Sequence, residues 1–300
     1  TPRPEHTGSA QLQLARFSNA MLDAQFEDGS DGMLFEYELI YYPQTTDDGT
    51  PEGQKLPQPD SVLGAPVGDL GDDPESYRWT YLVKNNRWRD DYRGLIAFCQ
   101  AFGQTGADFE AAVEGLIDVD EWLRGLAFAT LSGAVDNYAT GAGHNADFYV
   151  RPADGRVLYF PYDLDLYSGS PEDPLVGNDD LAKLIASPAR ARLYYGHLYD
   201  IITTAYHREY LSHWSDQLGR LLPEQDFAGH LQFAVARADW AMNRAPDAVL
   251  TQFPPVDFAI ATNGGAPLSV EAPTVTLEGS GWIDVHEVWG PDPSAPLTLT

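Results

Sequence analysis

DNYATGAGHNADFYVRPADGRVLYFPYDLD, residues 136–165, decides how the rest of the chain is read. The stretch leaves an apolar, helix-like run, passes the turn Gly141-Ala142-Gly143 and reaches His144 and Asn145. Two β-rich segments follow, Asp147–Arg151 and Arg156–Tyr162, joined by Pro152-Ala153-Asp154-Gly155. Asp-Gly between two β-prone runs predicts a hairpin. The second strand delivers Asp163 and Asp165 at its C-terminal end, so Asp136, Asn145 and the two aspartates gather in that order at the hairpin's open end.

Asp163 and Asp165 stand two apart, and a regular strand turns both to one side. Carboxylates so placed repel unless a cation lies between them or one takes a proton. Spacing alone fits a solvated strand exit as well as a metal site. Asp136 follows an apolar helix, where an anion faces the negative end of the helix dipole; a residue that breaks a local preference is a site candidate. Asn145 reads either as a neutral oxygen ligand or as a turn residue that tolerates left-handed backbone. His144 reads as a hydrogen-bonded structural histidine holding the loop. Phosphoryl transfer needs a carboxylate to orient the attacking hydroxyl and oxygen ligands for a divalent metal. The order Asp, Asn, hairpin, Asp is that of protein kinases, although the gap from Asp136 to Asn145 is longer than in HRDxxxxN and no Asp-Phe-Gly is present.

The same residues resemble the CotH kinase family, the atypical kinases named after a spore-coat protein. The resemblance is carried by Asp136-Asn137-Tyr138, His144-Asn145, Phe148-Tyr149 and Phe160-Pro161-Tyr162-Asp163-Leu164-Asp165, the last similar to a Pro-Trp-Asp-x-Asp signature with Tyr162 in the Trp place. It covers about Tyr77 to Gly169 well and the flanks loosely. It implies an α+β, atypical protein-kinase-like fold: a mostly helical C-terminal lobe with a catalytic β-hairpin over 146–165, a truncated or reduced N-terminal lobe and a β-rich tail. It implies ATP and a Ser/Thr protein as substrates and Mg²⁺ or Mn²⁺ as cofactor. Asp136 becomes the catalytic carboxylate, Asn145 and Asp163 metal ligands, and Asp165 a further ligand or a residue behind one. Lys84, Arg87 and Arg16 are the cations available for phosphates, with surface solvation as the plain alternative for each. Lys84-Asn85-Asn86-Arg87 lies in a segment shared with the family. A GxGxxG loop, a Val-Ala-Ile-Lys strand and GxxxxGK[ST] are all missing, and residues 1–45 are short for a nucleotide-covering lobe.

Composition narrows the class. The chain of 300 residues is 43% hydrophobic with 7 Trp, 16 Tyr and 13 Phe, ample for a packed core. A net charge of −27 without a basic patch argues against nucleic acid. An acidic surface whose only lysines are Lys55, Lys84 and Lys183 suits an extracellular (secreted or cell-surface) or a salt-adapted protein, with solubility alone as the plain alternative. Cys99, in an apolar run, reads as a buried thiol. No apolar run approaches the roughly 18 residues of a membrane span. The abrupt ends suggest a piece of a larger secreted bacterial protein, and a monomer is expected.

Taken in order, Gln11–Arg16 alternates like a strand, Asn19–Phe26 reads as a short helix, and Met33–Tyr42 as a strand. Asp28-Gly29-Ser30-Asp31-Gly32 invites calcium but lacks the ligand spacing of a calcium loop. Thr45–Asp73 is a loop; from Pro74 the pattern turns helical through Tyr77–Leu82. Helices are expected over Asp90–Phe102, over Asp108–Leu116 and from Asp118, where Asp118 and Glu121 have capping-box spacing. That last helix is apolar on most sides, Phe128 included, and so is expected to be buried. Ser170–Asp180 is a loop, and Pro188–Ala205, Glu209–Leu222 and Asp226–Arg244 are helices. Val256–Thr262, Ser269–Thr276 and Ile283–Trp289 are β-like. The expected divisions are 1–73, 74–253 and 254–300, with a boundary near Phe253.

Two other functions compete. Asp163-Leu164-Asp165 is a DxD pattern, as in metal-dependent glycosyltransferases that bind a nucleotide sugar, but the helical stretch before it lacks the strand–helix alternation such a fold needs. The carboxylates could instead stabilise a non-catalytic binding module, a pseudokinase or a domain held by Ca²⁺.

Overall fold

The computed structural model describes residues 17–42, 48, 61–164, 169–271 and 275–289. Its centre is a four-stranded antiparallel sheet. The strands are β1 (Met33–Tyr37), β4 (Tyr81–Val83), β5 (Ala146–Val150) and β6 (Val157–Pro161), in spatial order β4-β1-β5-β6. The hairpin β5–β6 forms where Asp-Gly demands it, with Gly155 left-handed in the turn. Between β1 and β4 a separate pair, β2 (Ile40–Tyr42) and β3 (Ser61–Leu63), makes a two-stranded sheet.

Two of these strands differ from expectation. Tyr77–Leu82 is not helical: a 3-10 turn at Pro74–Ser76 leads into β4, which pairs with β1 through Phe35↔Val83 and Tyr37↔Tyr81. Tyr77–Thr80 is a turn, closed by Tyr81 N on Tyr77 O, and only Tyr81–Val83 is extended, where the edge of β1 receives it. Nor does β1 belong to a separate N-terminal unit. It lies between β4 and β5, with Phe35 opposite Phe148, so the division at residue 73 does not appear in the packing.

Strand alternation gives the sheet two different faces. Phe35, Tyr37, Tyr81, Phe148 and Tyr159 enter the main core with the helices that follow β4. Those are α2 (Arg93–Phe102), α3 (Gly106–Leu116) and α4 (Val119–Ser132). On the other face Leu34, Tyr149, Leu158 and Phe160 pack under Leu22 of α1 (Asn19–Gln25).

The hydrophobic run from Val119 makes α4 a buried helix, with Trp122, Leu123, Leu126 and Leu131 inside; Phe128, expected to be buried too, is 52% exposed. Trp122 stacks on Phe148 with ring centres 5.6 Å apart and lies 5.3 Å from both Phe98 and Tyr159. Its Nε1–H donates to the Val157 carbonyl at 2.7 Å, while Glu121 Oε2 accepts from the Tyr159 amide at 3.1 Å. Backbone groups on the outer edge of β6 therefore find partners on a helix instead of a fifth strand. Asp118 caps α4 as its spacing predicts, accepting from Glu121 N, but the Glu121 carboxylate serves β6 and does not close a capping box. Gly125 lets the helix come this close: a Cβ there would lie 2.9 Å from the Tyr159 ring.

The second half is helical, with α5 (Asp179–Leu184), α6 (Pro188–Thr204), α7 (Arg208–Leu221), α8 (Phe227–Asp239) and α9 (Val249–Gln252). A π-helical turn at Trp240–Arg244 extends α8 over the helix expected up to Arg244. Arg237 of α8 is 2% exposed and bonds only to main-chain carbonyls. Nε and Nη2 reach Thr130 O at 3.3 and 2.9 Å, Nη1 reaches Pro171 O at 3.1 Å and Asp173 O, and Nη2 also reaches Pro174 O at 3.2 Å. It ties the end of α4 to the loop that follows the hairpin.

Beyond Phe253, among the described residues, the strand expectations are met only at β7 (Ala259–Ile260), which pairs with β8 (Gly279–Ser280). Ile283–Trp289 is no strand. Instead Trp282 packs edge-on against Tyr199, donates to Phe253 O at 2.7 Å, and Arg192 of α6 bonds the Gly281, Trp282 and Val285 carbonyls. A stretch read as the start of a separate β module thus docks on α6. Cys99 is buried as expected, with burial pushing its thiol up to about 12.

Burial also pushes the Glu121 carboxyl up to about 8, against the downward pull of the Tyr159 N–H. The folded chain holds this proton where the unfolded chain releases it near 4.5. Its stabilising contribution is therefore full below about pH 4.5, drains as pH rises, and is gone above about 8. Glu121→Gln, which keeps an acceptor for Tyr159, is expected to flatten the fall in melting temperature between pH 5 and 9; an unchanged slope in calorimetry would refute the assignment.

Candidate functional site

The segment after α4 is built to turn. Gly133 closes the helix in left-handed conformation and Gly141 ends a 3-10 turn at Tyr138–Thr140. Asn137 fixes that turn from inside, accepting from Ala139 N at 2.9 Å and donating from Nδ2 to Ala134 O at 2.5 Å. Gly143 is required because a Cβ would lie 2.7 Å from Ala65 O, where the 64–65 backbone crosses the loop. The loop after the hairpin closes the other side, with Gly169 N donating to Gly133 O and Asn178 Nδ2 to Tyr138 O.

Asp136 and Asn145 meet here. The Asn145 Nδ2 donates to the Asp136 main-chain carbonyl at 2.6 Å, which leaves Oδ1 as the amide's other end. His144 Nε2 lies 2.6 Å from Asp136 Oδ1. Because α4 ends at Ser132, Asp136 stands beyond the helix cap and not against its negative dipole, and the imidazole is its polar neighbour instead. His144, read from the sequence as a loop-holder, thus touches the candidate catalytic carboxylate directly.

Tyr162 N donates to Asn145 O at 3.4 Å, extending the hairpin by one pair and bringing the backbone entering Asp163 to the same mouth. Asp163 is exposed, and both Asp163 and Asn145 have left-handed backbone, φ 51° and 57°. Asn and Asp adopt that region more readily than other side chains, still at about 1 kcal/mol or more each. Such strain is found where a surrounding structure fixes side-chain direction. Asp165 and Arg16 lie outside the described residues.

The two phosphate-binding candidates part company. Lys84 stands opposite Leu34, and its ammonium lies 3.1 Å from Glu36, 3.6 Å from Asp147 and 4.4 Å from the centre of the Tyr162 ring. It thereby reaches the hairpin's open end. Arg87 does not: it follows the turn beside Gly32, at the closed end, and its Nε caps the outward carbonyl of Val83 at 3.0 Å. With Tyr92 Oη on Tyr81 O and Tyr77 O on Tyr81 N, this blunts the β4 edge.

Asp147 is the residue sequence reasoning missed. It is fully buried, directly opposite Glu36 across β1–β5, and neither carboxylate oxygen has a hydrogen bond. Like charges at paired positions repel. Burial pushes the Asp147 carboxyl up to about 7, with Lys84 pulling it down and Glu36 pushing it further up. Burial also works against the Lys84 ammonium, but Asp147 and Glu36 outweigh it and raise its pKa. The signal was in the hairpin's alternation, where a carboxylate occupies the same face as Tyr149.

Competing chemistries fare poorly. Every strand pair among the described residues is antiparallel, apart from one isolated parallel bridge, Ile117↔Val157, so no doubly wound sheet precedes the DxD pattern. In Asp28–Gly32 the Asp31 carboxylate is held by Arg89 at 3.0 Å. Among the described residues no helix is long and apolar enough to cross a membrane.

A family model described as CotH kinase protein matches residues 48–249. This span contains Lys84, Asp136, His144, Asn145 and Asp163 but begins after β1. No curated protein matches the chain.

Lys84→Met removes the ammonium and leaves Asp147 facing Glu36. We expect a loss of about 2–4 kcal/mol in urea denaturation at pH 8, partly restored by adding Glu36→Gln. Wild-type stability in Lys84→Met would show that the cluster contributes nothing to the fold.

Proposed function

The chain belongs to the CotH kinase family, and from that premise we propose that it transfers the γ-phosphoryl group of ATP to a Ser or Thr hydroxyl of a protein partner, with Mg²⁺ or Mn²⁺ as cofactor. The observation that carries this reading is the pairing of Asp136 with Asn145 at the hairpin mouth, where the strand exit to Asp163 arrives. In this reading the kinase-like likeness lies in the hairpin and the helical half behind it.

The donors suit a hard cation: a carboxylate and an amide oxygen, with no thiol and no imidazole required. Among the described residues no three His, Cys, Asp or Glu side chains form a ready-made cage. That fits an ion held by one or two carboxylates plus substrate phosphates, the usual arrangement for Mg²⁺. Asn145 and Asp163 are the residues that would hold it, joined by Asp165, and it would neutralise charge on the phosphates during transfer. Asp136, exposed on one side, takes the hydroxyl proton of the acceptor. Lys84 reaches from Glu36 and Asp147 towards the phosphates, its point charge adding to phosphate neutralisation. The acidic, lysine-poor composition favours a secreted or cell-surface setting.

Transfer of label from γ-³²P-ATP to a protein acceptor, with Mg²⁺ or Mn²⁺, tests the reading. Asp163→Ala is expected to lower transfer at least about a hundredfold. A folded wild-type protein that transfers nothing with either metal would end it.

A further inference from the structure

The shortest ion pair at the hairpin mouth joins a buried ring to a half-exposed carboxylate. His144 has a side chain 8% exposed and Asp136 one 38% exposed. The backbone that carries the ring is fixed: the His144 main-chain N–H donates to Ala142 O at 2.9 Å, and β5 begins two residues later. An ionised carboxylate only accepts hydrogen bonds, so at 2.6 Å the proton between them sits on Nε2. The ring's Nδ1 is buried without a hydrogen bond.

A purely structural histidine would serve to tie the loop. The loop is already tied without it: Asn145 Nδ2 holds Asp136 O, Thr140 Oγ1 holds Val135 O, and Asn137 Nδ2 holds Ala134 O. What the imidazole adds is a grip on the Asp136 carboxylate itself. With Oδ1 engaged from the buried side, Oδ2 is the oxygen left to meet a substrate.

We propose that His144 is a positioning residue that holds Oδ1 of Asp136 through Nε2–H and so assigns Oδ2 as the acceptor of the substrate hydroxyl's proton; this rests on the kinase reading above. In the step it serves, the acceptor oxygen forms a bond to the γ-phosphorus while the bond from that phosphorus to the β,γ-bridging oxygen breaks. The electron pair leaves with ADP, and the hydroxyl proton passes to Asp136 Oδ2. Free rotation of the carboxylate would misplace this oxygen, and displacement by about 1 Å can cost a hundredfold.

The test compares His144→Ala with His144→Gln, whose amide nitrogen can stand in for Nε2–H. For His144→Ala we expect kcat 10- to 100-fold lower with KM for ATP within twofold, and for His144→Gln recovery to within about fivefold of wild type. Wild-type kcat in a folded His144→Ala, or a folded His144→Gln as impaired as His144→Ala, would overturn the proposal. A wild-type protein that transfers no phosphate would defeat the kinase reading, and the dyad is then decided by long-range ¹⁵N–¹H spectra of histidine-labelled protein. A proton on Nε2 of His144, with a shift that moves in Asp136→Asn, supports the contact; a neutral ring carrying its proton on Nδ1 overturns it.

Discussion

Trp122 is the contact on which the arrangement of this chain depends. One side chain stacks on Phe148 of β5, meets Tyr159 of β6 and Phe98 of α2, and donates its indole proton to the outer edge of the sheet. It sits in the first turn of α4, so where it binds fixes where that helix points. The helix ends at Ser132, and Asp136 therefore emerges beside the hairpin's open end. Aromatic packing in the core and polar geometry at the mouth are two ends of one rigid element. That rigidity is what a site needs if its groups are to be held to within about half an ångström.

The sheet's second face shows what acidity demands locally. In a chain of net charge −27, Glu36 and Asp147 are set opposite one another, and one ammonium serves both. Burial is the main reason the Asp147 carboxyl holds its proton more tightly than an ordinary aspartate; the shared ammonium pulls against this and the facing Glu36 adds to it. Tyr162 completes the cluster by offering its ring to the same ammonium. The residue in the family signature's tryptophan place thus couples the hairpin exit to β4 through Lys84.

Local chemistry made the hairpin, the cap at Asp118 and the helices of the second half legible, because Asp-Gly, Asx capping and apolar periodicity act over a few residues. β4 was not legible, since only Tyr81–Val83 is extended, after a turn at 77–80, and it is the edge of β1 that pairs with it. The tail reads as strands by composition, yet Trp282 and Ile283 follow the apolar surface of α6 instead of a neighbouring strand. At the site, residue order pointed to Asp136, Asn145 and Asp163. It could not show that His144 faces Asp136, because that contact depends on a loop whose Gly141 lies against Gly177 and whose Gly143 crosses the 64–65 backbone. It also placed Arg87 with Lys84, which the turn after β4 separates: Lys84 reaches the Tyr162 ring and Arg87 caps Val83 O.

Arg237 grips its neighbours by main-chain oxygen alone, at Thr130, Pro171, Asp173 and Pro174. Such a clasp is indifferent to which side chains the loop carries. Within residues 170–174 only Ser170 and Asp173 also hold the turn by side chain, Asp173 Oδ2 accepting from Ser170 N and Ser170 Oγ from Glu172 N, so the outer surface of the loop is open to variation and the latch beneath it is not. Lysine could not replace the arginine, because a single ammonium has neither the span nor the number of hydrogens to hold four carbonyls at once.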